Sequence, residues 1–280
     1  MRRAARWGAA VVLPAEAALV VCLVAGVRIP WPVLAAAEAA VGCVLAAEAA
    51  VLVRAWRRAR RGGLSGRDAA GEAVRAAVPV PVRRLLAHEA RVMASLVRWA
   101  ARRPHGVGAG GTAVPYAGGQ AAMAYGLLFV AVVETAVMAV LLADWPVAHA
   151  AALVLDVWGV LLVLGFHASC VVRPHVVGAD GSLRVRYGAL VDVAVPAGSV
   201  TAVRVEHRFP RGRPVEVAGG VLDLAVGGRT TVTVELDAPV EVVRPLGGRE
   251  RARVLRLYAD DPRAAVAALR EGLGSRGAAC

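Results

Sequence analysis

Apolar residues gather in four long stretches, roughly 8–27, 33–53, 121–143 and 147–172, with a basic segment between the second and third. Each holds about 20 residues or more, enough for an α-helix to cross a hydrocarbon core of about 30 Å. The stretches pair into two hairpins, because the turns at Arg28–Pro32 and Asp144–Pro146 are short. Both turns carry Trp-Pro-Val, at 31–33 and 145–147. Trp suits the bilayer interface, and Pro suits the first turn of the following helix. The pattern predicts an α-helical membrane bundle of four transmembrane helices in two hairpins.

After Arg173 the period changes from helical to two. Leu183, Val185 and Tyr187 alternate with Arg184 and Arg186, and a turn at Gly188-Ala189 leads into 190–195. Further strands are expected at 200–206, 221–226, 231–236, 240–243 and 253–258. They are separated by Gly219-Gly220, Gly227-Gly228, Asp237-Ala238-Pro239 and Gly247-Gly248. Asp261-Pro262 then opens a helix, with Asp as N-cap and Pro at the first helical position. Seven strands and a closing helix predict a mainly-β small barrel with a helical plug.

The segment between the hairpins also has a pattern. From Pro81 to Arg103, Val82, Leu86, Met93, Val97 and Ala100 share one helical face, while Arg84, Arg91, Arg98 and Arg102 share another. Such a helix fits an anionic leaflet, and it fits equally a helix packed on the tail with its Arg face solvated. Residues 106–119, with six Gly, read as a flexible tether. The expected domains are 1–56, a first transmembrane hairpin; 57–118, a basic cytoplasmic segment; 119–173, a second hairpin; and 174–280, a cytoplasmic β domain.

Charge fixes the expected orientation. All 33 basic residues are Arg, which excludes lysine nucleophiles and lysine phosphate clamps. Between Arg54 and Gly118 there are 13 Arg against Asp68, Glu72 and Glu89, and the turn at 144–146 has none. By the positive-inside rule both termini and residues 54–118 lie in the cytoplasm, and the first span stays uncleaved. The net charge of +12 is concentrated beside the spans rather than spread as a nucleic-acid footprint. Cys22, Cys43, Cys170 and Cys280 lack ligand spacing and read as apolar filler, and His167 and His175 read as interfacial residues.

The tail carries a family resemblance. Leu183-Arg-Val-Arg-Tyr-Gly188, a second strand ending at Pro196, Val200-Thr-Ala-Val203 and the Asp261-Pro262 helix start together resemble the bacterial pleckstrin-homology-like (PH-like) domains. The whole chain resembles actinobacterial four-span integral membrane proteins with such a C-terminal domain. The resemblance implies a PH-like barrel and no catalytic residues.

The candidate chemistry inside the spans is acid. Glu16, Glu38, Glu48, Glu134 and Asp156 fall within apolar stretches, where a charged carboxylate is costly. On helical rise, Glu38, Glu134 and Asp156 lie at one depth. They could act as protonated packing bonds, as contacts to a partner helix, or as a proton or cation site. No nucleophile, metal set or cofactor motif accompanies them. The expected function is a non-enzymatic integral membrane protein of the plasma membrane with a cytoplasmic interaction or scaffold module. A small oligomeric ion- or proton-coupled transporter is the alternative. The expected partners are the bilayer, anionic headgroups, and another protein or a second copy of the chain. No cofactor, metal or nucleic acid is expected.

Overall fold

The computed structural model describes residues 30–245 and 247–274. Two compact units divide it, 1–83 and 84–280. In the first, helix α1 (Trp31–Arg61) has Pro32 in its first turn and Arg58, Arg60 and Arg61 in its last. Gly62 ends it, its N–H bonding back to Arg58 O. Helix α2 (Gly66–Ala77) starts at Ser65, whose Oγ accepts the Asp68 N–H, and it buries Ala69 and Ala73.

The second unit contains most of helix α3 (Val80–Ala100), then strand β1 (Thr112–Val114) and two long helices, α4 (Gly118–Leu141) and α5 (Pro146–Val172). Among the described residues these two are the helices long and apolar enough to cross a membrane. At 1.5 Å per residue they span about 36 and 40 Å. Their outer faces show bare Phe129, Val140, Val147 and Leu155.

The four-helix membrane bundle is therefore corrected. The first expected span, with Glu16, lies outside the described residues. The second is the start of α1, which runs without a break into Arg54, Arg57, Arg58, Arg60 and Arg61 and carries Glu38 and Glu48. Ala supplies much of its apolar content, a weaker driving force for insertion than the Leu, Val and Phe of α4 and α5.

The tail forms two sheets rather than a seven-strand PH-like barrel. The first has the order β1-β2-β3-β4, with β2 His175–Val177, β3 Leu183–Tyr187 and β4 Val191–Val195. The second has the order β5-β8-β9-β7-β6, from β5 Val200–Arg208, β6 Val215–Ala218, β7 Val221–Leu224, β8 Thr230–Val243 and β9 Arg249–Leu257. Three features separate it from the expected barrel. Strand β1 comes from before α4, β7 and β9 run parallel, and β8 passes through Asp237-Ala238-Pro239 as a bulge instead of turning. The ladder to β9 on both sides of the bulge outweighs the local turn signal.

The two sheets share one core. Val185, Val193 and Val195 meet Leu222, Leu224, Val232, Val234, Leu255 and Leu257, all nearly inaccessible to solvent. Helix α6 (Pro262–Gly274) adds Ala265, Val266 and Leu269 to this core. Asp261 Oδ1 accepts the Arg263 and Ala264 N–H groups, the expected cap.

Candidate functional site

Helices α4 and α5 are built into the first sheet. Strand β1 ends just before α4, β2 begins just after α5, and they pair antiparallel with Val114 opposite His175. The joint is fastened elsewhere as well. His105 N–H donates to Val172 O at 2.7 Å, and Asp260 N–H donates to Pro115 O at 2.9 Å. Residues 106–119, expected as a tether, thus hold a strand and several fixed backbone bonds.

Buried polar residues collect at this joint. Pro174 stops α5, and His175 follows in the sheet with almost no exposure. His175 Nδ1 accepts the Arg186 N–H at 3.0 Å, so its Nε2–H donates to Tyr258 O at 3.1 Å. Burial holds this imidazole down at about 4, so it is neutral at pH 7. Tyr116 stacks on it with ring centroids 4.5 Å apart, and the Tyr116 hydroxyl accepts the Gly188 N–H at 2.6 Å.

Arg186 was expected on the outer face of an alternating strand with Arg184, but only Arg184 is exposed. The Arg186 side chain is 1% exposed, and its Nη1 donates to His105 O at 2.8 Å. Gly106, at φ +68°, lies over Nη2, where a Cβ would come within 2.5 Å. Nε and Nη2 have no hydrogen-bond partner, although Nε is 3.5 Å from Asp192 Oδ1. Asp192 is itself held by Arg184 through bonds of 2.7 and 2.8 Å.

Arg173 lies beside this group, 9% exposed, with Nε 3.5 Å from Ser95 Oγ. Burial lowers its affinity for its proton, and the charges of Arg186, Arg91 and Arg98 add to that, against Asp192 alone. His105 is shifted down by burial and then by Arg173, Arg98, Arg186 and Arg184. Asp192 is the one carboxylate among the charges that act on Arg173, and it is itself already shared.

The expected basic face of α3 contributes to it. Arg91 Nη1 donates to Ala189 O at 3.3 Å, Arg98 is near Arg173 and His105, and Arg84 lies over Gly247. Arg102 is exposed beyond the helix end, at φ +52°. The docking face of α3 is a third one, His88, Val92, Ser95 and Trp99. The His88 ring nitrogens are 3.0 Å from Ala189 O and Pro245 O, Val92 packs on Gly165, and Trp99 meets the His167 ring edge-on. The expected apolar face is exposed at Val82, Leu86 and Val97.

Of Glu38, Glu134 and Asp156, the last two have described side chains. The Glu38 side chain lies outside the described residues. Glu134 is exposed on α4. Asp156 is half-buried on α5 and lines a shallow cleft with Thr135, Met138, Ala139 and His149, where its Oδ2 has no hydrogen-bond partner. Among the described residues no group of three or more His, Cys, Asp or Glu could hold a metal ion.

Sequence reasoning missed His175, Tyr116, Arg173 and Arg186 as a group. The available signal was local: Arg-Pro-His directly after a span, and an Arg in a strand next to Tyr187. Compared with protein-family models, curated proteins and solved structures, the chain matches none.

Proposed function

We propose that this chain is a non-enzymatic integral membrane protein that holds a β module rigidly at the cytoplasmic face of the plasma membrane as an interaction or scaffold surface. The observation that supports it most is the pairing of β1 with β2 across the base of the α4–α5 hairpin. Two helices with bare aliphatic outer faces suit lipid, and their connection to a sheet leaves no hinge between span and module.

Orientation follows from charge. The α4–α5 turn has no Arg, whereas the joint at the other end of the hairpin is ringed by Arg91, Arg98, Arg102, Arg103 and Arg173. That asymmetry favours a cytoplasmic joint, a cytoplasmic β module and a multi-pass topology.

The test combines extraction with reporters. Alkaline carbonate should leave the chain in the membrane pellet, and a fluorescent protein fused after Cys280 should be bright. Alkaline phosphatase inserted at Trp145 should be active. Release by carbonate would remove the membrane reading, and an inactive insertion at Trp145 with a dark fusion at Cys280 would reverse the orientation.

A further inference from the structure

We propose that Arg173, with Arg91 and Arg98 on the facing helix α3, forms a receiving site for a phosphate group where α5 ends. The site rests on the membrane reading for its location but not for its chemistry.

Arg173 carries the argument. It is nine-tenths buried, and its one hydrogen bond, to Ser95 Oγ at 3.5 Å, is at the outer limit of such bonds. It takes part in none of the ion pairs among the described residues. A buried charge without an opposite partner is strongly unfavourable. The C-terminal end of α5 offers it only the equivalent of about half a negative charge. Asp192 cannot supply the remainder, because Arg184 grips both its oxygens and Arg186 approaches one of them.

The neighbours sharpen the chemistry. Ser95 Oγ donates to Arg91 O at 2.7 Å, which fixes the oxygen facing Arg173. Arg91 is four residues before Ser95 and Arg98 three after it, so both flank it on the same side of α3. Both are exposed, so a ligand can reach them from solvent. Behind it, Arg186 is buried with two unpartnered nitrogens, which adds a fixed positive charge. Arg173 against Ser95, with the charges of Arg91 and Arg98 from the neighbouring turns of α3, suits a ligand with several charged oxygens, as phosphate has. A carboxylate offers two oxygens and one charge, less than three arginines call for.

A phosphate could come from an anionic lipid headgroup or from a soluble phosphate. The experiment uses the full chain in mild detergent, with native mass spectrometry against phosphatidylglycerol, phosphatidylcholine and inorganic phosphate. Phosphatidylglycerol should be retained in clear preference to phosphatidylcholine. Each arginine replaced by Gln should weaken retention about fivefold, the effect of one basic residue at an anionic surface. Arg173→Gln tests the buried member. Arg91→Gln with Arg98→Gln is the surface variant, whose unchanged thermal melt separates lost binding from lost folding. Retention that millimolar inorganic phosphate leaves intact assigns the site to lipid, and displacement by it assigns the site to a soluble phosphate. Equal retention of both lipids together with no binding of inorganic phosphate would overturn the proposal, as would surface variants that bind like the wild type. A chain released by alkaline carbonate would sink the membrane reading alone, since the phosphate titration can be run in either case.

Discussion

Replacing Tyr116 by Phe tests whether the α4–α5 hairpin and the β module are one cooperative structure. Tyr116 is fully buried two residues before α4 begins. Its hydroxyl accepts the Gly188 N–H at 2.6 Å, in the turn between β3 and β4, and its ring stacks on His175 beyond the far end of the hairpin. Burial holds the phenol proton well above the usual tyrosine range, so the group is a neutral acceptor at any working pH. Phe keeps the ring and the stack and removes only the oxygen.

The buried Gly188 N–H is then left without a partner. An orphaned buried donor costs about 1–3 kcal/mol. For a domain of this size that lowers Tm by about 2–4 °C per kcal/mol. The assay is urea denaturation of the full chain in mild detergent, followed by circular dichroism at the β band. Tyr258→Phe is the control: that hydroxyl accepts from Arg229 Nη2 at 3.2 Å in a partly buried place, where water can replace it. Its loss should cost less than about 1 kcal/mol. A Tyr116→Phe protein no less stable than the Tyr258→Phe protein would refute the joint as described.

Two further outcomes follow from the same region. The unfolded pKa of His175 is about 6.5 and the folded one about 4, so between them the unfolded chain binds more protons; stability should be level above pH 6.5 and fall as pH drops to 4, by roughly 3 kcal/mol at most. Urea midpoints from pH 7 to pH 4 should show a smaller fall in His175→Gln, and identical slopes would count against the buried neutral imidazole. A Cβ on Gly165 would come within 2.7 Å of Val92 Cγ1, so Gly165→Val should push α3 off α5 and speed tryptic cleavage at Arg91 and Arg98 several-fold; unchanged cleavage would mean that the two helices do not touch there.

Local periodicity made much of the fold legible. β3 and β4 fall where alternation predicted them, as does the Asp261 cap of α6, because these depend on neighbours two to four residues away. The features that local periodicity did not announce depend on long-range pairing. Strand β1 is three residues in a glycine-rich run, with no alternation to announce it, and it exists because β2 offers it an edge. Strand β8 continues across a turn signal because β9 follows it on both sides. Arg186 looked exposed because alternation says nothing about a loop folded over that face from eighty residues earlier.

The same long-range pairing explains why the arginines converge. Arg91 and Arg98 precede α4, Arg173 follows α5, and Arg184 and Arg186 sit in β3. Along the chain they are distant and would repel one another if brought together freely. The register of β1 on β2 leaves no such freedom: once Val114 faces His175, residue 105 is bonded to 172, and Arg186 reaches His105 O from beneath. Slipping that register by one residue would turn Val114 outward and break the Tyr116–His175 stack. The buried sheet therefore bears the repulsion of the basic cluster. A cluster held against its own repulsion is suited to take up negative charge, and the stability of the joint should rise when it does.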